Sequence, residues 1–423
     1  MKRGFYTIMA AQFFSSLADN ALLIACMAFL EVMKAPPWMT PLLKSFFVLS
    51  YVLLAAFVGA FADAFPKGRV MFMTNLIKIL GCSLMFFHVH PLIAYCLVGF
   101  GAAAYSPAKY GILTELLPAE KLVAANAWIE ALTVASIVLG ILLGSELVNP
   151  QIAALLLEYQ RLLIPVGASS AEDIGLCVII FAYIIAALFN LKIPDTGARY
   201  RKQEHSPVRL VLDFSRCCST LWRDKLGQIT LSVTMLLWGT FATLQFIVIK
   251  WAEKSLHMPL NQAASLQVVV VVGGALGAAA AAFFVPLRKS LSVMRMGVLM
   301  GVVIMSMILV HTVWLAYLLL TLLGALAGYF LVPMNALLQH RGYVLMSAGH
   351  SIAVQNFNEN LSVLVMIGIY SSMVKVHLDV NVIIVLFGSC VIGTILLVMR
   401  RHASNQKLFD IAALIGEHRQ PVF

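Results

Sequence analysis

The 423-residue chain is 61% hydrophobic and 11% charged, with a mean hydropathy of +0.93. Soluble domains carry about a quarter of their residues as charges, so this composition excludes a water-soluble globular protein and indicates an all-α, polytopic membrane protein. The net charge of +10 does not point to a nucleic-acid partner, because the basic residues are scattered over short inter-helix segments, the distribution that orients membrane proteins.

Apolar runs of bilayer length predict twelve spans, near 7–30, 42–65, 70–88, 91–113, 124–145, 173–191, 227–249, 262–286, 291–310, 313–334, 350–373 and 379–399. The expected domains are an N-terminal six-helix bundle over 1–193, a cytoplasmic connector over 194–226, a C-terminal six-helix bundle over 227–400 and a cytoplasmic tail over 401–423. Met1-Lys-Arg leads into the first apolar run with no small-residue cleavage site, so span 1 is expected to be retained.

Span 1 places Asp19 and Asn20 near its middle, within Phe13–Leu30. A charge at that depth is expensive to desolvate and normally faces a bundle interior or a wet cavity. A structural pair bonded to a neighbouring helix and a place on a transport pathway are both open to these residues. Between spans 2 and 3, Gly59, Asp63, Lys67 and Arg69 form a candidate gating clasp, with Gly59 permitting close helix approach. A positively charged turn would explain the bases there, but less easily the acid.

Span 4 carries Lys109; span 5 carries Asn126 and Glu130, four apart and therefore on one face. Lys109 has two candidate partners, Glu130 and Asp19. The loop 146–173 contains a possible interfacial helix over 152–164, or an irregular loop at the bundle mouth. The connector reads first as a solvated linker, although 208–226 has the pattern of a basic amphipathic helix suited to anionic lipid. Gln245, Gln267 and Asn335 are individually weak signals that need only bond between helices.

Span 11 is the most polar. Gln355-Asn356-Phe357-Asn358-Glu359-Asn360 holds four amides and an acid with no nearby base. Glu359 suits a proton or cation carrier, a ligand for an ammonium headgroup, or a structural acid held by amides. So many adjacent polar groups favour a cavity role, with Gln355, Asn356 and Glu359 on the substrate pathway. The tail contains a short amphipathic stretch over 406–415.

Twelve spans put both termini on one side, and 21 lysines and arginines fall there against six on the other, which places that side in the cytoplasm. The halves read as parallel repeats: Pro107 and Pro333 are 226 residues apart, and Asn126 and His350 are 224 apart. Such repeats imply two bundles around a central path with substrate held between them. The seven cysteines have neither disulfide nor metal spacing, so no metal or cofactor is expected. The absence of a phosphate-binding loop, a His-Glu-x-x-His motif and a nucleophile elbow argues against an enzyme.

These residues resemble the major facilitator superfamily. Of its signature Gly-x-x-x-Asp-Arg/Lys-x-Gly-Arg-Arg/Lys, Gly59, Asp63 and Lys67 match, whereas Ala64 and Pro66 stand in place of a base and a glycine. Ala11–Leu23, Gly99–Leu113, Val332–Gln339 and Ile352–Asn360 resemble its bacterial lysophospholipid transporter family, and the resemblance runs over essentially the whole chain except the outer loop and the tail.

The resemblance implies flipping of lysophosphatidylethanolamine and lysophosphatidylglycerol from the outer to the inner leaflet of the bacterial inner membrane. A separate cytoplasmic acyltransferase/acyl-carrier-protein synthetase would then reacylate them. On that expectation the transporter works as a monomer, Lys109 attracts the phosphate, and Asp19, Glu130 or Glu359 meets an ethanolamine ammonium. The alternatives are a proton-coupled exporter of amphipathic drugs or small metabolites, and a membrane scaffold without alternating access.

Overall fold

The computed structural model describes residues 3–36, 39–148, 151–152, 171–200, 206–258 and 260–408. The outer-loop helix expected over 152–164 lies outside the described residues apart from its first position, as does the tail beyond Leu408. Every regular element described is helical.

The first helices are α1 (Arg3–Val32), α2 (Met39–Leu53), α3 (Ala55–Ala64), α4 (Lys67–Phe86), α5 (Pro91–Leu116), α6 (Leu122–Val148) and α7 (Ala171–Leu191). In the connector stands α8 (Pro207–Arg223), followed by α9 (Gly227–Ser255), α10 (Leu260–Phe284), α11 (Met294–Ser306), α12 (Val313–Leu345), α13 (Ala348–Lys375) and α14 (Val380–Leu408). A 3-10 turn at each end extends α11 into one apolar stretch, Leu287–Leu309.

Among the described residues, ten helical stretches are long and apolar enough to cross a membrane, and α2 with α3 make an eleventh if counted as one span bent by 65° at Leu54. The remaining expected span, the eleventh in chain order (350–373), corresponds to α13. It has the length, at 28 residues, but its amides and acid dilute the apolar content.

The helices cluster into two compact units. One comprises Met1–Leu116, Leu132–Phe214 and Ala348–Ala353; the other comprises Leu117–Ala131, Ser215–Ser347 and Val354–Phe423. In the first unit α4 packs on α5 and α7, while α1 packs on α7. Leu22, Cys26, Met85, Tyr95, Val98, Leu176 and Ile179 form a continuous apolar core there. Gly140 and Gly144 bring α6 onto α1, since a Cβ at either would sit 2.6–2.8 Å from the carbonyl oxygen of Leu17 or Ala21.

In the second unit the closest pairing is α10 with α12. Hydrocarbon gives apolar side chains no preference between lipid and protein, so helix association relies on tight packing at small residues. Gly273 and Gly277 face the backbone of Thr321 and Ala325, while Gly324 and Gly328 face that of Val270 and Gly274. The interior prolines Pro107 and Pro333 lie within α5 and α12. Lys34 and His257, just beyond α1 and α9, share a left-handed backbone (φ 52° in both).

Part of the connector, Pro207–Arg223, is helical. Along α8, Phe214 and Leu221 are buried, while Val208, Arg209, Arg216 and Arg223 are exposed. Asp224 accepts the backbone N–H groups of Leu226 and Gly227 at 3.1 and 2.7 Å, satisfying donors at the start of α9.

Gly277→Val should overpack the α10–α12 contact and cost about 1–3 kcal/mol or more, lowering the thermal unfolding midpoint in detergent. Gly368→Ala, where no atom lies within 4 Å of the added Cβ, should leave the midpoint unchanged.

Candidate functional site

The first unit contains a charged centre around Asp19. The Lys78 ammonium on α4 lies 2.7 Å from Asp19 Oδ2 and also donates to Ser15 Oγ at 3.0 Å. The Tyr183 hydroxyl on α7 donates to Asp19 Oδ1 at 2.7 Å, and the Ser15 hydroxyl donates to Asn75 Oδ1 at 2.9 Å. The rings of Tyr105 and Tyr183 lie 5.0 and 5.8 Å from the ammonium, near enough for cation–π attraction.

The Lys78 side chain is 2% exposed and that of Asp19 18%. The lysine is therefore the enclosed partner, and the carboxylate keeps an open edge. Asp19 thus takes Lys78 as its ion-pair partner rather than Lys109. Asn20 turns its amide to the Ser16 carbonyl of its own helix at 2.7 Å. Lys109, two residues past Pro107 on α5, holds its ammonium 4.2 Å from the Tyr110 ring centroid.

A second network in this unit surrounds Asp63. Its Oδ1 accepts from Lys67 Nζ at 2.6 Å and from the Gly349 backbone N–H at 2.9 Å. Its Oδ2 accepts the His350 backbone N–H at 3.2 Å and lies 2.8 Å from His350 Nδ1. The carboxylate thus sits on the first N–H groups of α13, where the helix dipole favours negative charge.

Lys67 also stands 3.6 Å from Glu115, whose two oxygens accept the hydroxyls of Thr196 and Tyr200 at 2.6 Å each. His350 Nε2 lies 3.7 Å from Asp213 of α8. Gly59 makes room for this arrangement: a Cβ there would lie 3.0 Å from Ala353 Cβ and 3.1 Å from His350 Cα. Of the expected clasp, Arg69 is exposed and takes no part in the hydrogen bonds of Asp63.

The second unit is held by amides. Asn126 and Gln339 exchange two side-chain hydrogen bonds, at 2.9 and 3.0 Å. Gln355 donates to Glu359 Oε1 at 2.8 Å and to Asn335 Oδ1 at 3.1 Å. The Trp222 indole N–H donates to Asn358 Oδ1 at 3.2 Å, and Arg341 grips Asp224 through two bonds at 3.0 and 2.7 Å.

Glu130 lies in this unit and Lys109 in the other. Gln245 is exposed, and its backbone carbonyl accepts the Gln267 side-chain amide at 3.3 Å. Asn356 is half-buried and its carbonyl accepts the Asn360 amide.

Sequence reasoning passed over Lys78, Tyr183, Glu115 and Gln339 as site residues and left open whether His350 contacts substrate or caps span 11. Lys78 carried a signal, being a lysine between Asn75-Leu-Ile and Ile-Leu in mid-span. Tyr183 and Gln339 carried none, because their partners are 164 and 213 residues away.

The Major Facilitator Superfamily profile matches residues 8–367. The chain is 40% identical over 381 residues to the lysophospholipid transporter LplT of Yersinia enterocolitica, covering 90% of this chain and 89% of that protein. It is 39% identical over 396 residues to LplT of Photorhabdus laumondii (93% and 94%) and 41% identical over 387 residues to LplT of Citrobacter koseri (91% and 92%).

Among solved structures, the transporter FucP in the outward conformation superposes with a TM-score of 0.71 at 13% identity, covering 94% of this chain and 98% of that one. An outward-facing bacterial homologue of the iron transporter ferroportin gives 0.70 at 13% identity, with 96% and 100% covered. These two likenesses concern the fold.

Lys78→Ala leaves the Asp19 carboxylate without its counter-charge, which should destabilise the protein by about 3–5 kcal/mol. The double replacement Lys78→Met/Asp19→Asn, which removes both charges, should lose less. Thermal unfolding of the single and double variants in detergent checks the order.

Proposed function

The chain belongs to the lysophospholipid transporter family of the Major Facilitator Superfamily, and from that premise we propose that it flips lysophospholipids, among them lysophosphatidylethanolamine and lysophosphatidylglycerol, to the inner leaflet of the bacterial inner membrane. The observation that carries this reading is the 39–41% identity to lysophospholipid transporters over about nine-tenths of the chain. The activity is transport rather than catalysis.

The physical demands of the substrate agree with the polar centres. A lysolipid combines a charged headgroup with one acyl chain. The headgroup needs polar partners inside the membrane, whereas the chain is best kept against apolar side chains or lipid. The open edge of Asp19 suits an ethanolamine ammonium, since Lys78 and Tyr183 hold the carboxylate in place without enclosing it. Lys109 suits the phosphate. Asn20, Asn126, Glu130, Gln245, Gln355, Asn356 and Glu359 complete the proposed polar route. Gly59, Asp63 and Lys67 form the gating clasp, with Glu115 and His350 as its further members.

The finer architecture belongs to the same proposal. Bent α2–α3 and polar α13 are each taken as one membrane crossing, giving twelve spans in two pseudo-symmetric six-helix bundles. The bundles occupy 1–193 and 227–400, joined by the 194–226 connector and followed by the 401–423 tail. Support comes from the interior prolines of α5 and α12 and from the left-handed residues Lys34 and His257, which are 223 positions apart, close to the offset of the other repeat pairs.

The excess of basic residues on one side supports cytoplasmic termini. The transporter is proposed to act as a monomer. A lysolipid delivered to the inner leaflet needs its missing acyl chain restored, so a separate cytoplasmic acyltransferase/acyl-carrier-protein synthetase is the proposed functional partner.

Spheroplasts of a host lacking its own carrier, expressing this chain, should take up radiolabelled lysophosphatidylethanolamine and convert it to diacyl lipid. Asp19→Ala and Lys109→Ala should each reduce uptake at least tenfold at equal membrane levels, the loss expected from about 1.4 kcal/mol or more of headgroup interaction. Absence of uptake by the well-expressed parent chain would overturn the assignment and favour export of amphipathic drugs or small metabolites.

A further inference from the structure

The first unit carries a groove that belongs to neither of its polar networks. Phe46 of α2, Leu84 of α4 and Leu92, Cys96, Leu97 and Phe100 of α5 line it, and its surface is almost wholly apolar. Ile93 and Phe100 are exposed at its rim, so the groove opens to the surrounding lipid. Its polar end is His90, at the residue before α5 begins.

The dimensions are those of one lipid chain in one leaflet. A volume of 490 Å³ holds about sixteen methylenes at about 30 Å³ each, close to the share of one water molecule in the liquid. From His90 to Phe100 the wall follows α5 for about 15 Å, half of a hydrocarbon core of about 30 Å. With the termini in the cytoplasm and α2–α3 counted as one crossing, the turn between α4 and α5 lies at the outer face. The groove then runs from the outer interface toward the middle of the bilayer, beginning in the leaflet from which a lysolipid is taken.

The His90 ring is held at the mouth with a donor to spare. Its Nδ1 accepts the Leu92 backbone N–H at 3.2 Å, and its carbonyl accepts those of Ile93 and Ala94 at 3.0 and 3.2 Å. The first N–H groups of α5 are therefore already satisfied. Because Nδ1 is an acceptor, the ring carries its proton on Nε2. Among the described residues no acceptor is bonded to that N–H, and the positive end of the α5 dipole lies beside it. Both suit a phosphate oxygen.

An apolar wall has no preference between one hydrocarbon and another, so the occupant is selected by space and by the polar end. The space takes one chain, and a diacyl lipid would have to leave its second chain outside. A molecule with a single acyl chain and a phosphate at the interface satisfies both.

We propose that this groove is a docking site for the acyl chain of an outer-leaflet lysophospholipid awaiting transport, with the phosphate at His90 Nε2. The step to transport, and the leaflet, rest on the reading above; preference of the groove for a single-chain phospholipid does not.

The test uses lysophosphatidylethanolamine with a diazirine at the end of its acyl chain, added to the full-length protein in vesicles of diacyl phosphatidylethanolamine and phosphatidylglycerol. After irradiation, peptide mass spectrometry should find adducts within 92–100. Excess unlabelled lysophosphatidylethanolamine should suppress them, whereas extra diacyl phosphatidylethanolamine should not. Cys96→Phe, which fills the groove, and His90→Ala, which removes the donor, should each weaken the labelling about tenfold. Spheroplast uptake should fall in both variants at low lysolipid concentration and recover as the concentration rises. His90→Ala decides alone if Cys96→Phe does not reach the membrane.

Adducts confined to other segments, adducts that unlabelled lysolipid does not suppress, or equal suppression by diacyl lipid would each overturn the site. Labelling as expected with uptake unchanged in His90→Ala overturns its place before transport. If the parent chain takes up no lysolipid at all, the transport reading fails separately, and the suppressed adducts still decide whether the groove holds a single-chain phospholipid.

Discussion

A charge placed in hydrocarbon must find its partner within the protein, and the first unit is arranged around meeting that requirement at Lys78. Its ammonium is enclosed by an acid from α1, a serine from the same helix and two tyrosine rings from α5 and α7, so one side chain ties four helices together. Close packing makes this geometry reachable. Gly140 and Gly144 seat α6 against α1, and Gly101 accommodates the Lys78 stem, which a Cβ there would meet at 2.7 Å. A buried ion pair adds little net stability compared with apolar packing, so its value lies in holding the Asp19 carboxylate in one orientation with an edge left open.

The Asp63 network applies the same rule to different donors. There the carboxylate is satisfied by a lysine at the start of the next helix and by the N-terminal N–H groups of α13, partners that a membrane span leaves unbonded at its end. The contact holds only while the first turn of α13 lies against α3. The carboxylate therefore ties the start of α13 to the end of α3. Glu115, Thr196 and Tyr200 extend the network to the start of the connector.

The second unit meets the cost of buried polarity differently. Asn126 and Gln339 satisfy one another in a reciprocal pair, and Gln355 donates to Asn335 and to the buried Glu359. Neutral groups can be enclosed without a counter-charge if their hydrogen bonds close. The two units thus hold buried polarity differently at their centres: an ion pair around Lys78 in one, bonded amides around Gln339 and Gln355 in the other.

Hydropathy alone determined that the chain is all-α and polytopic, because only helices and closed barrels satisfy the backbone in lipid and the apolar runs have helical length. The blocks around Asp19, Lys109, Asn335 and Glu359 likewise carried the family resemblance without any coordinates. Local spacing was enough to put Gln355 and Glu359 on one helix face, since residues four apart share a face, and to set Asp63 at the end of one helix beside Lys67 just after it.

Only the tertiary structure decided that Asp19 answers to Lys78 and Tyr183, that Asn126 pairs with Gln339, and that Asp63 reaches the start of α13 while Arg69 stays outside. Those choices depend on the rotation and depth at which separate helices pack. That placement is set by the summed fit of small residues such as Gly140, Gly277 and Gly328, and no periodicity along a single segment encodes which distant helix will face it.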